Sequence, residues 1–452
     1  MIHRSFVLGL LLLLPLNPRA ALFSLSDSDP NSPAFRKRFL ASYGVNEAIE
    51  PRLTQADRPL QEAILPHIRN NPRAAIKLIE QALRPDTNPA FLSILGNLYY
   101  QVNDYTSSER YLRQALEKFP SLRRSWRTLA LTHVQRQQFR QAIEPLLKVI
   151  ELGGGDAQSY GLLAYGYLGT EKYESALAAY RMARMFEPDS LDFRRGQAQC
   201  LLRTEQHRAA IALFEELIAE RPDESSFWLG QANSYLALNQ PQQAIANLQI
   251  VAGLGKATWS SWTMLGDLYL NNDVPRLALE SYKKAFQERP PSQMSEAIRP
   301  LRYLVGRGLY VEGRDYLNLI RPRVGGNLDL RSQREFQVNE ARIEMSIGDA
   351  GRAFGILQGV VAEDPLDGDA LILLGEYYQK EGDFEEAAFQ FERATSVQTV
   401  AAEAFIALGR LKVAQGDLRA ALLPLRKSAQ LRATANLQRY IEAIERALDA
   451  GN

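Results

Sequence analysis

The chain has 452 residues, of which 46% are hydrophobic and 23% are charged, so it is long enough to bury a large core. Its formal net charge of +1 argues against a general nucleic-acid binder, because such proteins carry a strong basic excess. The single cysteine, Cys200, excludes an intramolecular disulfide, and we expect its thiol to pack as a small buried hydrophobe.

Residues 1–21 have the features of a secretory signal peptide. Arg4 supplies a positive charge, the stretch from Phe6 to Leu14 is apolar, and Ala20-Ala21 offers small residues for cleavage. The apolar stretch is too short to cross a bilayer comfortably, which favours a cleaved signal over a retained anchor. We therefore expect an exported protein with no membrane span in its mature chain.

Residues 22–54 are interpreted as a linker followed by an N-terminal cap. The stretch 22–33 is polar, whereas the stretch 34–50 can form a helix with one apolar face. That face consists of Phe35, Phe39, Leu40 and Tyr43. We expect it to pack on the first repeating unit, since the end of a stacked array must hide its hydrophobic edge.

A pattern with a period of 34 residues then runs along most of the chain. In the stretch Trp259–Ser292, apolar residues at i, i+3, i+4 and i+7 predict a first helix, and Pro275 marks the start of a second. With Trp259 as position 1, Gly266 and Ala278 stand at positions 8 and 20, and their small size lets the two helices pack closely. Other units in this register begin at Pro89, Arg123, Ala157, Leu191 and Ser225.

The order of large, small and aromatic residues resembles the tetratricopeptide repeat (TPR), a helix–turn–helix unit of 34 residues. The resemblance implies an all-α fold, a right-handed α-solenoid of about eleven such units with capping segments at both ends. It implies little about function, because packing residues define the repeat and members bind many different partners.

The register divides the rest of the chain into four further segments. Residues 55–292 contain units one to seven, and residues 293–333 contain a degenerate unit followed by a seven-residue insertion. Residues 334–435 contain units nine to eleven, and residues 436–452 are expected to form a C-terminal capping helix.

Two units depart from the repeat pattern, and each gives a prediction about its own helices. In the first unit, Leu60, Ile64 and Ile68 predict one continuous helix. In the stretch 293–333, Pro300 stands at position 8, where a small residue is usual. This stretch is either a hinge in the array or a drifted repeat with a longer loop, and we favour the drifted repeat.

The last three units share Gly-Asp at positions 15 and 16. Glycine at this place predicts a left-handed residue that ends the first helix, and aspartate predicts a cap for the second. The pairs are Gly348-Asp349, Gly382-Asp383 and Gly416-Asp417.

Neither a catalytic site nor a metal site is indicated. The four histidines fall in separate segments, and none has another His or a Cys at metal-ligand spacing. His133 stands at position 11, where other units carry tyrosine, and we expect it to pack in the core. We therefore expect no cofactor and no enzyme activity, and an enzyme or small-ligand receptor stays an alternative.

The TPR resemblance implies a concave groove lined by positions 2, 5, 9, 12 and 13 of the first helices. The charges at these positions predict a bipolar groove, basic toward the start and acid-rich toward the end, that orients a peptide or partner helix. The alternative is a solvated surface whose charges pair among themselves. The candidate residues are Arg124, Arg127, Arg195, Asn233, Asp267, Asn271, Glu335, Asp369, Glu376, Glu403 and Arg410, and Arg342 stands at the position of Glu376 one unit earlier.

The run Arg38–Pro51 also resembles the entry segment of bacterial envelope TPR proteins associated with TonB, ExbB and ExbD energy-transducing components. This resemblance implies a periplasmic scaffold that binds protein partners, TonB/ExbB/ExbD-like chains among them. The balanced charge adds the expectation of no nucleic-acid partner. A scaffold for envelope polysaccharide export or outer-membrane assembly is the alternative.

Overall fold

A computed structural model of the protein describes residues 50–288, 290–324 and 328–450. The predicted signal peptide and nearly all of the linker and cap lie outside the described residues. All regular secondary structure in the described ranges is helical, which confirms the all-α prediction. The chain divides into two compact units between Leu254 and Gly255, called here the N-terminal unit and the C-terminal unit.

The N-terminal unit consists of helical hairpins in which each helix packs on the next in sequence. Its helices are α1 (Arg58–Ile64), α2 (His67–Asn70), α3 (Pro72–Ala82), α4 (Pro89–Gln101), α5 (Tyr105–Lys118), α6 (Arg123–Gln135), α7 (Phe139–Val149), α8 (Ala157–Gly169), α9 (Tyr173–Phe186), α10 (Leu191–Arg203), α11 (His207–Glu220), α12 (Ser225–Ala237) and α13 (Pro241–Gly253). From α4 onward each pair matches one predicted repeat.

The C-terminal unit continues the same hairpin arrangement. Its helices are α14 (Trp259–Asn271), α15 (Pro275–Glu288), α16 (Ile298–Gly306), α17 (Tyr310–Val324), α18 (Leu330–Ile347), α19 (Ala350–Glu363), α20 (Gly368–Glu381), α21 (Phe384–Thr395), α22 (Ala401–Ala414), α23 (Leu418–Leu431) and α24 (Ala435–Ala450). Helix α24 packs on α23 and buries Leu437, Ile441 and Ile444 against it.

The two helices of a hairpin approach closely where a small residue faces a large ring. In the α14–α15 hairpin, the ring of Tyr282 lies against Gly266, and a Cβ atom added there would overlap the ring. Tyr282 and Ala278 are both 0% exposed. The small residues at positions 8 and 20 therefore admit the close packing that the sequence predicts.

In six consecutive hairpins, the turn between the two helices places one residue in the left-handed backbone region. Six such residues recur every 34 positions, with φ between 57° and 62°, and none is glycine. They are Asn103, Gln137, Glu171, Glu205, Asn239 and Asp273. Because this conformation costs an L-residue about 1–2 kcal/mol, hairpin packing rather than local preference imposes it.

The predicted left-handed glycine is confirmed in two of the three Gly-Asp turns and is wrong in the third. Gly382 and Gly416 have φ of 84° and 81°, whereas Gly348 has φ −126° and ψ −137°. There the Glu344 side chain lies over the glycine and accepts a hydrogen bond from the Asp349 backbone N–H at 3.1 Å. All three aspartates cap their second helices as predicted: the carboxylates of Asp349, Asp383 and Asp417 accept from first-turn N–H groups.

Two predicted helix boundaries are corrected by the structure. The single first helix of residues 55–88 is divided into α1 and α2, because Pro66 lies where the helix would continue. Helix α18 begins at Leu330 rather than Arg334, since Asp329 caps it by accepting from the Ser332 N–H at 2.9 Å.

Pro300 is accommodated in a helix that starts late. Residues Met294–Ala297 form a 3₁₀ turn, and α16 then begins at Ile298, so Pro300 lies in its first turn and removes no needed hydrogen bond. Within the described residues, the stretch therefore retains a helical hairpin, α16 with α17. Gly325 and Gly326 lie outside the described residues.

The left-handed turn residues give a stability prediction. We expect Glu171→Gly to raise stability by about 0.5–1 kcal/mol, because glycine adopts this conformation without the steric cost. Gly382→Ala should lower stability by about 1 kcal/mol for the converse reason. Urea unfolding followed by circular dichroism measures both changes.

The matched control is Ala178→Gly, which introduces glycine at an exposed site inside α9, in the same hairpin as Glu171. It should lower stability by about 1 kcal/mol. Equal signs for Glu171→Gly and Ala178→Gly would contradict the account of the turn.

Candidate functional site

The inner face is defined here as positions 2, 5, 9, 12 and 13 of the first helices. These helices are α4, α6, α8, α10 and α12 in the N-terminal unit and α14, α18, α20 and α22 in the C-terminal unit. First helices of neighbouring hairpins also contact one another in several places, such as α4 with α6. Side chains at these positions thus form one surface in each unit.

Arg124 on α6 binds the start of the described chain. Its Nε atom lies 2.6 Å from a Glu50 carboxylate oxygen, and the two side chains are only 24% and 20% exposed. Burial raises the pKa of Glu50, and the nearby Arg124 and Arg123 partly offset that rise. Glu50 is therefore held on the inner face of α6.

Arg127 ties its hairpin to the next one. Its guanidinium donates to Asp156 at 2.7 Å and to the Ser159 hydroxyl at 3.0 Å. Asp156 caps α8 by accepting from the Ser159 N–H at 2.7 Å. Burial acts to raise the pKa of Asp156, but Arg127 and the Ser159 hydrogen bonds outweigh it, so that this pKa lies below its ordinary value. The arginine thus stabilises the N-terminus of the following repeat.

Arg195 and Asn233 are half-buried on α10 and α12. The Arg195 guanidinium lies over the Phe227 ring, 5.5 Å from its centroid, in a cation–π contact. Asn233 makes no side-chain hydrogen bond to any other described residue. Only Asn233 of this pair is therefore available to a partner without breaking a contact.

Asp267 and Asn271 join α14 to the irregular hairpin that follows. Asp267 accepts from the Tyr282 hydroxyl at 2.6 Å and pairs with the Arg299 guanidinium. Arg307 donates to the Asn271 side-chain oxygen at 2.6 Å. Burial raises the pKa of Asp267, although Arg299 and Tyr282 act in the opposite direction. Both residues are therefore engaged in structural contacts.

The three acidic residues at position 2 of the last units each face an arginine. Their separations are 2.9, 3.3 and 2.9 Å, and the carboxylates are 32%, 61% and 48% exposed. The pairs are Glu335 with Arg302, Asp369 with Arg342, and Glu403 with Arg432. Ion pairs this exposed contribute little to the free energy of folding. A binding partner can therefore break them and pair with one of the two side chains at a small cost in free energy.

Glu376 and Arg410 are the two exposed charged candidates that form no ion pair within the described residues. Both are exposed, at position 9 of α20 and α22. Protein atoms nevertheless surround the Glu376 carboxylate closely enough for desolvation to raise its pKa, while Arg342, Lys380 and Arg410 lower it. Position 9 of α18, α20 and α22 thus carries alternating charge, positive, negative and positive.

Most candidate charges pair among themselves, as in the alternative to the bipolar groove. In particular, carboxylates neutralise Arg124 and Arg127, which were to form the basic end. The bipolar groove stays a prediction. The structure brings Glu376 and Arg410 together on one surface and assigns Arg127 and Asp267 to contacts between helices.

One buried charge was missed by the sequence analysis. Glu340 is 6% exposed and is paired with Arg321 and Arg352 at 2.9 and 2.7 Å. These side chains line a cavity of about 330 Å³ between α17, α18 and α19. Glu340 stands at position 7, which leucine occupies at Leu265 and Leu374, so the unusual residue type was the available signal.

The other titratable groups of interest are core residues. Cys200 is 0% exposed, and burial raises the pKa of its thiol to about 12, which confirms the predicted packing role. His133 is 1% exposed, as predicted. Across the described ranges, no group of three or more His, Cys, Asp or Glu could hold a metal ion. In the same ranges no helix is both long and apolar enough to span a bilayer.

Comparison with known families agrees with this architecture. The tetratricopeptide repeat family model matches residues 94–157, 162–225, 229–292 and 338–398, more than half of the chain. The chain belongs to the tetratricopeptide repeat family. No curated protein matches the sequence of this TPR protein.

Several solved structures are similar to parts of this TPR protein. A TPR protein from Parabacteroides merdae is 15% identical, covers 59% of this chain and 100% of its own, and has a TM-score of 0.35. YrrB, a TPR protein with an unusual peptide-binding site, is 16% identical, covers 46% and 100%, and has a TM-score of 0.36. The APC/C Cut9–Hcn1 assembly is 11% identical, covers 86% and 96%, and has a TM-score of 0.34.

Asp267 provides a test of the structural role assigned to inner-face charges. We expect Asp267→Ala to lower stability by about 2 kcal/mol, because it leaves the Tyr282 hydroxyl and Arg299 without their partner. Glu376→Ala, at the same repeat position in the same unit, should change stability by less than about 0.5 kcal/mol. Urea unfolding measures both, and equal losses would refute the distinction between the two sites.

Proposed function

We propose that this TPR protein is a non-enzymatic scaffold that binds a segment of a protein partner on its inner face. The observation that carries the proposal is the alternating charge at position 9 of α18, α20 and α22. There Glu376 and Arg410 are exposed and form no ion pair within the described residues. Stacked repeats characteristically present extended binding surfaces of this kind.

The chemistry of this surface favours a polar, extended partner segment. The position-9 charges are flanked by the exposed pairs Asp369–Arg342 and Glu403–Arg432, which can exchange their internal partners for those of a ligand. Complementary charges of alternating sign set the register of a bound segment more than its raw affinity. The partner is therefore expected to carry an acidic group opposite Arg410 and a basic group opposite Glu376.

We further propose a periplasmic location and a role within a TonB/ExbB/ExbD-type energy-transduction system. The location is supported by Arg4, the apolar stretch from Phe6 to Leu14 and the small residues before position 22. The system is supported by the resemblance of Arg38–Pro51 to the entry segment of such envelope proteins. A role in polysaccharide export or outer-membrane assembly is the alternative.

Charge reversal on the inner face tests the binding surface. We expect Arg410→Glu to weaken partner binding about tenfold at low salt and less at high salt, because salt screens exposed charges. The matched control is Arg419→Glu, which reverses an exposed arginine on the second helix of the same hairpin, α23. Titration calorimetry with the captured partner measures both affinities.

The partner is obtained by pull-down of tagged full-length protein from gently crosslinked cell envelopes, followed by mass spectrometry. Recovery of ExbB-, ExbD- or TonB-like chains supports the proposed system, and recovery of export or outer-membrane machinery supports the alternative. Equal affinities for the Arg410→Glu and Arg419→Glu variants would overturn the proposed surface.

A further inference from the structure

The start of the described chain runs along the inner face of the N-terminal unit. Glu50 is ion-paired with Arg124 at position 2 of α6. Two residues later, the Arg52 carbonyl accepts a hydrogen bond of 2.8 Å from Asn88, the residue that caps α4. The chain thus moves from α6 back to α4 as residue numbers rise. Continued backward along the sequence, this direction leads toward α8 and α10, away from the first repeat.

The inner face ahead of that segment is apolar in the middle and charged at both ends. Arg124 forms its basic end at position 2 of α6, and Asp192 stands at position 2 of α10, where Arg195 follows at position 5. Between them, positions 9 and 12 are apolar except for Gln199 at position 9 of α10. These residues are Leu131 and Val134 on α6, Tyr165 and Leu168 on α8, and Leu202 on α10. Leu131 and Leu168 are only 3% and 7% exposed. In the C-terminal unit, Arg342, Glu376 and Arg410 hold position 9 instead.

The sequence before Glu50 has the complementary order. Acidic Glu47 and Glu50 end the segment, and basic Arg36, Lys37 and Arg38 begin it. The apolar face lies between and around them, formed by Phe35, Phe39, Leu40 and Tyr43. Acidic residues would thus meet the arginines of α6, and basic residues would meet Asp192 of α10.

The lengths also agree. The 13 residues from Arg38 to Glu50 span about 18 Å from first to last as a helix, at a rise of about 1.5 Å per residue. Packed helices lie about 8–10 Å apart, so that the two steps from α6 to α10 cover about 16–20 Å. One segment therefore reaches from Arg124 to Asp192.

We propose that residues 35–49 bind as an amphipathic segment on the inner face of α6, α8 and α10, as an internal ligand of the N-terminal unit. This assignment differs from a cap over the end of the array, which would direct the segment toward α1 and α3. The inference rests on the proposed function only in its consequence: a partner that uses this part of the inner face must first displace the segment.

A photo-crosslinking experiment on the full chain tests this assignment. Phe39 is replaced by p-benzoylphenylalanine, which keeps an aromatic ring at this site, and crosslinked peptides from the monomer band are identified by mass spectrometry. We expect crosslinks to residues of α8 or α10. Crosslinks to α1–α3, crosslinks only in a dimer band, or no crosslinks at all would each overturn the proposal.

The Glu50–Arg124 pair supplies a rescue test. Arg124→Glu should lower the crosslink yield about fivefold or more by placing like charges together, and the double variant Glu50→Arg/Arg124→Glu should restore most of it. Arg140→Glu, on the second helix of the same hairpin, should leave the yield unchanged. A yield insensitive to Arg124→Glu, or a loss that the double variant does not restore, would contradict the pairing, with circular dichroism verifying that each variant folds.

The outcome is independent of the partner experiment. If the crosslinks fall elsewhere while Arg410→Glu still weakens partner binding, only the internal-ligand proposal fails. If the crosslinks map to α8 or α10 while Arg410→Glu binds normally, the segment is an internal ligand and the proposed partner surface fails.

Discussion

A helical hairpin of 34 residues cannot bury both of its apolar faces alone, and this constraint governs the molecule. Each hairpin must close tightly and then stack on the next one. Tight closure requires a small residue opposite a large ring, as at Gly266 against Tyr282. The same tight closure places Gln137, Glu171 and Glu205 in the left-handed backbone region, which is unfavourable for these residue types. Packing between the helices outweighs the local cost.

Stacking brings charged residues of neighbouring hairpins into contact, and this explains why so many inner-face charges are occupied. The paired charges come from neighbouring repeats, as Arg342 at position 9 of one unit and Asp369 at position 2 of the next do. Where the repeat pattern weakens, stronger contacts appear: Asp267 with Arg299 and Tyr282, and Glu340 with Arg321 and Arg352. Buried ion pairs of this kind fix the relative placement of helices more than they add stability.

The sequence was sufficient for the fold because its register is local and repeated. The predicted helix boundaries and turns were wrong where a single residue departed from the repeat pattern. Pro66 divided a helix that Leu60, Ile64 and Ile68 predicted to be continuous, and Glu344 closed a turn assigned to Gly348. The ion pairs and hydrogen bonds that the candidate side chains make could not be predicted in the same way. Whether Arg127 faces solvent or Asp156 depends on how two hairpins stack, which a helix register does not specify.

The central claim is that the available part of the inner face lies on the first helices α20 and α22. Hydrogen–deuterium exchange of the full-length protein, with and without its captured partner, tests this claim most directly. The account predicts that the partner slows exchange in α20 and α22 more than in the second helices α21 and α23. Greater protection of α21 and α23, or no protection in the C-terminal unit, would contradict it.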